Sequence, residues 1–280
     1  MLLRMRPFPA VLVASCLVAA TLAVFASSEA PRPGPLVVAG GGGTTDDIAA
    51  ELLRLGGGAD ARMVLVPWAS EDPAAGAESL EFWRGKGASK AEVVSDDADE
   101  ARRQLESAAI IWMGGGDQKV LVDKLRAKGL DAVVARRHAQ GAVVGGTSAG
   151  AAAQSKAMIL GGDTADLEVA KNGGTALGEG LHLLDDAIVD QHFLKRRRFA
   201  RLLSAVLDNP HLVGIGVDER TAAIVHAGAI EVVGEGQVLV VDARAAKVER
   251  CEPGARHAAT GMRLDLLRAG SRLRIDGRKE

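Results

Sequence analysis

Short apolar runs alternate with segments of helical periodicity along the first half of the chain. The runs typical of buried strands are residues 36–39, 62–67, 92–94, 108–113 and 141–144. The segments between them that predict helices are residues 45–55, 73–87, 97–107, 118–128 and 130–138. Continuously apolar strands that alternate with helices predict an α/β fold, in which a mostly parallel sheet carries helices on both faces as three layers.

The second half of the chain has a different pattern. Residues 181–193 and 211–217 predict strands on either side of a helix at residues 196–207. A C-terminal β-hairpin extension is predicted from three further strands, at residues 222–225, 230–233 and 238–241. Residues 264–275 contain both apolar and basic positions, and their pattern predicts neither a helix nor a strand. Residues 161–180 are a glycine-rich loop, and a loop that long in a compact domain usually has a function.

The chain begins with a segment typical of a secretory signal. Two arginines precede an almost wholly apolar run, residues 10–25, and small residues follow it. Because this run is shorter than the ~20 residues of a membrane span, residues 1–26 are predicted to be a signal peptide cleaved after Ala26. We therefore expect an exported protein, periplasmic or extracellular, with no stable membrane span after cleavage. Lipidation of Cys16 is the alternative, which the apolar residues 17–25 disfavour.

Composition narrows the remaining possibilities. Residues 27–35 predict a proline-rich linker, and residues 36–280 are predicted to form a single α/β domain. The formal net charge is −2 and aromatic residues make up 3% of the chain, so no nucleic-acid partner is expected. Once Cys16 is removed, Cys251 is the one cysteine left, so we expect no internal disulfide. The sequence has no cluster of Cys and His at metal spacing, and we expect no metal site.

The most specific motif is G-x-S-x-G at residues 146–150, between an apolar strand and a run of alanines. A strand-to-helix turn this tight exposes its central residue, Ser148, at a helix N-terminus, where developing negative charge is favoured. Ser148 is therefore a candidate nucleophile. A glycine-rich turn in which Ser148 only caps the helix explains this motif equally well.

A second glycine cluster, residues 114–116, follows the strand at residues 108–113. A backbone N–H group of this cluster, together with that of Ala149, would form an oxyanion hole for an acyl-transfer intermediate. Gln118 would then be placed to bind substrate. A tight turn with Asp117 as the helix N-cap accounts for the same residues.

A nucleophilic serine needs a base, and His192 is the best candidate among the six histidines. It ends a predicted strand and follows the polar residues Asp190 and Gln191. A carboxylate must orient the imidazole. Glu219, at the end of the next strand, is preferred for this role. Glu168 in the long loop is the fallback, because Asp190 is too near His192 in sequence.

A basic helix face follows His192. It contains residues 195–198 and Arg201. Because guanidinium groups bind carboxylates in a bidentate manner, this face is a candidate site for an anionic group of a substrate. A solvated face that binds nothing is the other interpretation.

Two rival functions remain open at this point. An α/β-hydrolase esterase would use Ser148 with Asp218 or Asp242 and with His257 as the base. A binding module would hold a phosphate or dinucleotide in a glycine cluster such as residues 40–43. Neither glycine cluster matches G-x-G-x-x-G with a following ribose-binding acid, which disfavours the binding module.

Four motifs occur in an order that resembles the serine peptidase family of cyanophycinases and aspartyl dipeptidases. They are GGDQ at residues 115–118, GTSAGA at 146–151, DQHF with the arginines at 190–202, and GIGVDERTA at 214–222. The resemblance implies a class I glutamine-amidotransferase-like fold and an acyl-enzyme mechanism without metal or organic cofactor. It implies the nucleophile, base and acid as Ser148, His192 and Glu219, the oxyanion donors as Gly116 and Ala149, and substrate contacts at Gln118, Asp190, Gln191, Arg196, Arg198 and Arg201.

The resemblance also implies a substrate. Cyanophycinases cut the polyaspartate backbone of cyanophycin, whose β-carboxyls carry arginine, and release β-Asp-Arg. The predicted leader departs from the intracellular enzymes of that family, so polymer or aspartyl peptides released by other cells are the expected substrates. The alternative function is that of an inactive family member that only binds peptide. A homodimer is also possible.

Overall fold

The computed structural model describes residues 32–160 and 168–275. The predicted signal peptide, Cys16 and the start of the predicted linker lie outside the described residues, and the division of the chain into leader, linker and domain stays a prediction. Among the residues that are described, no helix has both the length and the apolar character to cross a membrane.

Strands and helices alternate in the first half, as the hydrophobic pattern predicts. Strands β1 to β5 are Leu36–Ala39, Met63–Val66, Ala91–Val93, Ile110–Met113 and Val143–Thr147. Helices α1 to α6 are Asp46–Leu55, Ala75–Gly85, Ala98–Ser107, Gln118–Ala127, Asp131–Ala139 and Ala149–Ala152. Asp97 and Asp117 are the N-caps of α3 and α4, and each accepts hydrogen bonds from backbone N–H groups of the first turn.

Strands β1 to β5 are parallel and lie side by side in the order β3-β2-β4-β5-β1. Successive side chains of a strand point to opposite faces, so an uninterrupted apolar strand needs cover on both. On one face, Val37 of β1 belongs to the same buried cluster as Leu52 of α1. On the other face, Val38 shares a cluster with Leu121 of α4. The result is the predicted arrangement of helix, sheet and helix layers.

The described residues of the second half form one helix of ten residues and many short strands. Strands β6 to β16 are Ala157–Ile159, Leu177–Glu179, Ala187–Gln191, Val213–Val217, Thr221–His226, Ala229–Gly234, Gln237–Asp242, Lys247–Val248, Ala259–Thr260, Arg263–Arg268 and Arg272–Arg274. Helix α7 is Phe199–Asp208. Residues 264–275, for which the pattern indicated no type, therefore contribute to two strands.

Two predicted elements are shorter in the structure, for the same physical reason. The strand predicted from residue 181 begins only at Ala187, after His182 has adopted a φ of +55°. The helix predicted from residue 196 begins at Phe199, after Arg197 has adopted a φ of +53°. A residue in the left-handed region cannot continue a strand or a right-handed helix.

Apart from β13 and β14, which pair with each other, the strands after β7 belong to two sheets. Strands β10, β11 and β16 extend the large sheet on the side of β1, which gives it eight strands within the described residues. Strands β8, β9, β12 and β15 form a second sheet, in which β8 and β9 are parallel. One buried cluster contains Val38 and Val144 of the large sheet and Val189 and Ile215 of the second. The carboxyl ends of β8 and β9 are thereby brought to those of β1 and β5.

Candidate active site

Ser148 lies in the turn between β5 and α6 with a φ of +52°. This conformation is strained for a residue with a side chain, and close packing enforces it. A Cβ on Gly146 would lie 2.9 Å from the Cα of Gly150, and a Cβ on Gly150 would lie 2.7 Å from the Met113 carbonyl carbon. The Ser148 N–H donates to the Ala39 carbonyl at 2.9 Å. Both glycines of the motif are therefore needed for close approach of neighbouring backbone.

The imidazole of His192 joins Ser148 to Glu219. Its Nε2 lies 3.0 Å from Ser148 Oγ, and its Nδ1 lies 2.7 Å from Glu219 Oε1. When the Nδ1–H donates to the carboxylate, Nε2 is left as an acceptor for the serine hydroxyl proton. The three residues come from the ends of β5, β8 and β9. Their arrangement is that of a nucleophile, a base and a group that orients the base.

Burial and two nearby arginines favour the neutral form of the imidazole. Burial lowers the pKa of His192, and Arg196 and Arg198 act in the same direction, against the hydrogen bond to Glu219. The hydrogen bond from His192 in turn lowers the pKa of Glu219. At pH 7 the pair is therefore a neutral imidazole beside a carboxylate, which are the states required of a base and its orienting acid.

A glycine loop after β1 forms the wall behind this pair. A Cβ on Gly41 would lie 2.5 Å from His192 Nε2, and a Cβ on Gly42 would lie 2.6 Å from Glu219 Cβ. The Gly40 carbonyl accepts the His192 N–H at 2.7 Å. From the sequence, this loop is predicted only as a cradle for a phosphate or dinucleotide. Its position after a parallel strand was the one signal in the sequence that it belongs to the site.

The two predicted oxyanion donors, the backbone N–H groups of Gly116 and Ala149, lie in the two turns that meet at Ser148. A Cβ on Gly115 would lie 3.6 Å from Ser148 Cβ, so the turn at residues 114–116 touches the start of α6. Within the described residues, no acceptor is found for the N–H groups of Gly116 and Ala149. Because α6 has four residues, its dipole contributes little, and these free N–H groups are what can stabilise an oxyanion.

Four of the six predicted substrate-binding residues are buried, and three of them, Gln118, Asp190 and Arg201, are bonded inside the protein. Arg201 binds Asp190 through Nε, 2.9 Å from Oδ2, and through Nη2, which donates to Oδ1. Their side chains are 3% and 0% exposed. Gln118 Nε2 donates to the Ile159 carbonyl at 2.7 Å. This placement differs from the direct substrate contact predicted for them, because a buried carboxylate is stable only when it is paired. As placed, the three side chains support the walls of the site.

Arg198 and Arg196 leave positive charge at the site. Arg198 Nη1 donates to the Gln191 carbonyl and to Gln191 Oε1, at 2.6 and 2.8 Å. Its Nε is buried and has no hydrogen-bond partner among the described residues. Burial lowers the pKa of Arg198 to about 10, and Arg201 adds to this effect. Arg196 is exposed. Arg198 Nη1 also lies 3.7 Å from Asp190 Oδ1, so this one carboxylate is shared by the guanidinium groups of Arg198 and Arg201. The surplus positive charge is available to an anionic ligand.

The fallback acid and the rival base are not joined to this arrangement. Glu168 is exposed and makes no hydrogen bond within the described residues, whereas Glu219 is hydrogen-bonded to Nδ1 of the His192 imidazole. His257 Nε2 bonds to Asp208 at 2.9 Å, and Asp242 bonds to Arg244. The esterase arrangement of Ser148 with His257 is therefore wrong. Within residues 32–160 and 168–275, no group of three or more His, Cys, Asp or Glu side chains is arranged to hold a metal ion.

The fold and this site define a hydrolase with a serine at its centre. Residues 36–233 match the model of Peptidase family S51, and this span includes every residue of the arrangement. The chain belongs to Peptidase family S51 and is a peptidase. The predictions of an α/β fold and of a serine peptidase related to cyanophycinases are confirmed by these comparisons.

Several relatives carry the same name. The cyanophycinase of Geminocystis herdmanii is 35% identical over 231 residues, which cover 77% of this chain and 83% of that protein. The cyanophycinase of Trichormus variabilis is 34% identical, over 66% of this chain and 65% of that protein. The cyanophycinase of Synechococcus elongatus is 37% identical, over 67% of this chain and 61% of that protein. The chain thus spans slightly less than two thirds of the length of the last two relatives.

A solved structure supports the fold. The crystal structure of a peptidase from an acI-B1 Actinobacterium superposes with a TM-score of 0.62, covering 88% of this chain and 98% of that one. The two sequences are 21% identical. At that identity the likeness concerns the fold alone.

Proposed function

We propose that this chain is a serine exopeptidase that hydrolyses aspartyl peptide bonds, with a catalytic triad of Ser148, His192 and Glu219. The observation that carries the proposal is the continuous hydrogen-bonded chain from the Glu219 carboxylate through the imidazole to Ser148 Oγ, at 2.7 and 3.0 Å. A second support is the strained φ of Ser148, since such strain is concentrated at functional sites.

The reaction has two halves. His192 Nε2 takes the hydroxyl proton of Ser148 while Oγ attacks the scissile carbonyl carbon, and the N–H groups of Gly116 and Ala149 bind the oxygen that becomes negative. His192 then gives the proton to the departing amine, the C–N bond breaks, and an acyl ester on Ser148 remains. In the second half, His192 removes a proton from water as the water oxygen attacks the ester carbon. The bond from this carbon to Ser148 Oγ then breaks, and the imidazolium returns the proton to Oγ.

The charge at the site favours an acidic substrate. Arg198 has a buried Nε–H without an acceptor, and a carboxylate of the substrate would satisfy it. Arg196 adds positive charge at the surface. The relatives named cyanophycinase support the substrate class, which is polyaspartate with arginine on its β-carboxyls, cut to release β-Asp-Arg, or related aspartyl peptides.

The substrate is tested by incubating the protein with cyanophycin, with β-aspartyl peptides and with α-aspartyl peptides, and identifying the products by mass. We expect β-Asp-Arg from cyanophycin. Binding of the polymer without any product from the three substrates would instead show an inactive, peptide-binding member and overturn the proposal.

The residue roles are tested by substitution. Ser148→Ala should reduce turnover at least ~10³-fold while the circular dichroism spectrum is unchanged. His192→Ala should do the same, with His257→Ala as its matched control, because His257 lies outside the triad. Retained turnover in Ser148→Ala, or equal losses in the two histidine variants, would reject the assignment.

We also propose that the protein is exported and that its leader is cleaved after Ala26, on the strength of the sequence pattern alone. The N-terminus of the protein recovered outside the cytoplasm should then be Ser27. A lipidated N-terminus at Cys16 would replace this proposal with the lipoprotein alternative. The homodimer stays a prediction, which the mass in solution decides.

A further inference from the structure

A second nucleophile, base and acid lie together outside the site around Ser148. Cys251 Sγ is 3.7 Å from His257 Nδ1, and His257 Nε2 is 2.9 Å from Asp208 Oδ1. The side chains of His257 and Asp208 are 4% and 19% exposed, whereas Cys251 is partly exposed. The thiol is therefore accessible to solvent while the two groups behind it are held inside the protein.

The carboxylate sets the direction of proton transfer. When Asp208 accepts the Nε2–H, the lone pair of Nδ1 faces the thiol of Cys251. Asp208 is itself fixed at the end of α7, because its Oδ2 accepts the Gly173 N–H at 2.9 Å. The Cys251 carbonyl accepts from Asn172 Nδ2 at 2.7 Å. Contacts from three separate segments thus hold the nucleophile, base and acid in register.

These groups open into a cavity of about 530 Å³. That volume is within the range of sites for small ligands. The wall carries both signs of charge, from Arg250 on one hand and from Glu249 and Glu252 on the other. A small peptide-like molecule with both carboxylate and ammonium groups matches such a wall.

We propose that Cys251 is an activated thiol that exchanges with low-molecular-weight peptide disulfides. His257 Nδ1 takes the thiol proton, and the sulfur attacks one sulfur of the disulfide. A new S–S bond to Cys251 forms as the old S–S bond breaks, and the departing thiolate receives the proton from His257. The disulfide oxidises Cys251: one half of it is released as a thiol, and the other half stays bound to the Cys251 sulfur. No other oxidant is therefore required.

The test uses the full chain with oxidised glutathione at pH 6.5, and it measures released glutathione and the mixed disulfide by mass. A Cys251→Ser chain gives the contribution of Cys16, which is subtracted. The reference is a synthetic peptide of residues 246–256, which contains the cysteine without its base. In the protein a base beside the sulfur removes the thiol proton during the attack, whereas the peptide thiol has no such base. A positioned base contributes ~10²-fold or more to a rate, and lower nucleophilicity of the sulfur cancels about tenfold of it. Exchange should be about tenfold faster in the protein than in the peptide.

His257→Gln and Asp208→Asn should bring the rate towards that of the peptide. If either variant fails to fold, the comparison of the native chain with the peptide decides alone. A native rate equal to or below the peptide rate overturns the proposal. Cys251→Ser should keep full peptidase activity, so failure here is distinct from failure of the proposed function.

Discussion

Replacing Gly41 with alanine is expected to disable the site while leaving the fold intact. The new Cβ would lie 2.5 Å from His192 Nε2, whereas ordinary contacts begin near 3.4 Å, so the imidazole must retreat by about 1 Å. The hydrogen bond between Nε2 and Ser148 Oγ is 3.0 Å long. A displacement of this size away from the serine breaks it.

The magnitude follows from two separate effects. Misplacing a catalytic group by about 1 Å can cost ~10²-fold in rate, which is ~2.7 kcal/mol of activation free energy. Gly41 also has a φ of +97°, which an alanine adopts only with strain of about 1–3 kcal/mol in the free energy of unfolding. The first effect lowers kcat, and the second lowers stability.

Gly58→Ala separates the two effects. Gly58 has a φ of +98°, and a Cβ there would meet no atom within 4 Å. We expect both variants to lose similar stability in urea unfolding. Only Gly41→Ala should lose ~10²-fold in kcat/KM for release of β-Asp-Arg, measured well below the unfolding transition.

A kcat/KM of Gly41→Ala within about threefold of that of Gly58→Ala would refute the reasoning. Such a result would mean that the loop moves and the imidazole stays in place, so that residues 40–43 do not position His192. Slower labelling of Ser148 by a serine-directed fluorophosphonate in Gly41→Ala would locate the loss at the attack step.

Four further predictions concern the charges in and around the site. Because burial lowers the pKa of His192, the acid limb of kcat/KM should lie below about 6.5, and activity should be lost as the pH falls through it. Glu219→Gln removes a group that raises this pKa, so the limb should move to lower pH while kcat falls ~10²–10⁴-fold; a limb that stays or rises contradicts this. Arg196→Gln removes a cation that lowers the same pKa, so the limb should move to higher pH and KM for acidic peptides should rise; a limb at lower pH contradicts this. Asp190→Asn breaks the buried pair with Arg201 and should cost about 3–5 kcal/mol in urea unfolding, and a loss under about 1 kcal/mol would count against a buried ion pair.

Local pattern was sufficient for much of the fold. Strands β1, β2 and β4 are continuously apolar, and β3 at the sheet edge contains one polar residue, Glu92. Glycine or a helix cap follows each of β1, β4 and β5, so the type and the parallel arrangement of the strands can be predicted from the sequence. The turn around Ser148 was readable for a related reason, because G-x-S-x-G between a strand and small residues has few other conformations available. The bond between Nδ1 of His192 and Glu219 was anticipated only as a preference over Glu168.

Positive φ angles at residues with side chains were invisible in the sequence. His182 delays the start of the predicted strand, and Arg197 delays the start of α7, although neither position is a glycine. The burial of charged side chains could not be predicted from the sequence either. Asp190 and Arg201 look like surface charges in the sequence, and their pairing depends on how α7 packs against β8.

The order of motifs along the chain thus specified which chemistry to expect, whereas the packing of two sheets specified where it happens. Strands β8 and β9 pair with each other, and nothing in their own residues says that their ends meet those of β1 and β5. The contact of Gly41 with His192 joins residues about 150 positions apart and arises only when both sheets close on one core. Periodicity is a property of neighbours in sequence, but the distance between an imidazole and a hydroxyl is set by every layer that lies between them.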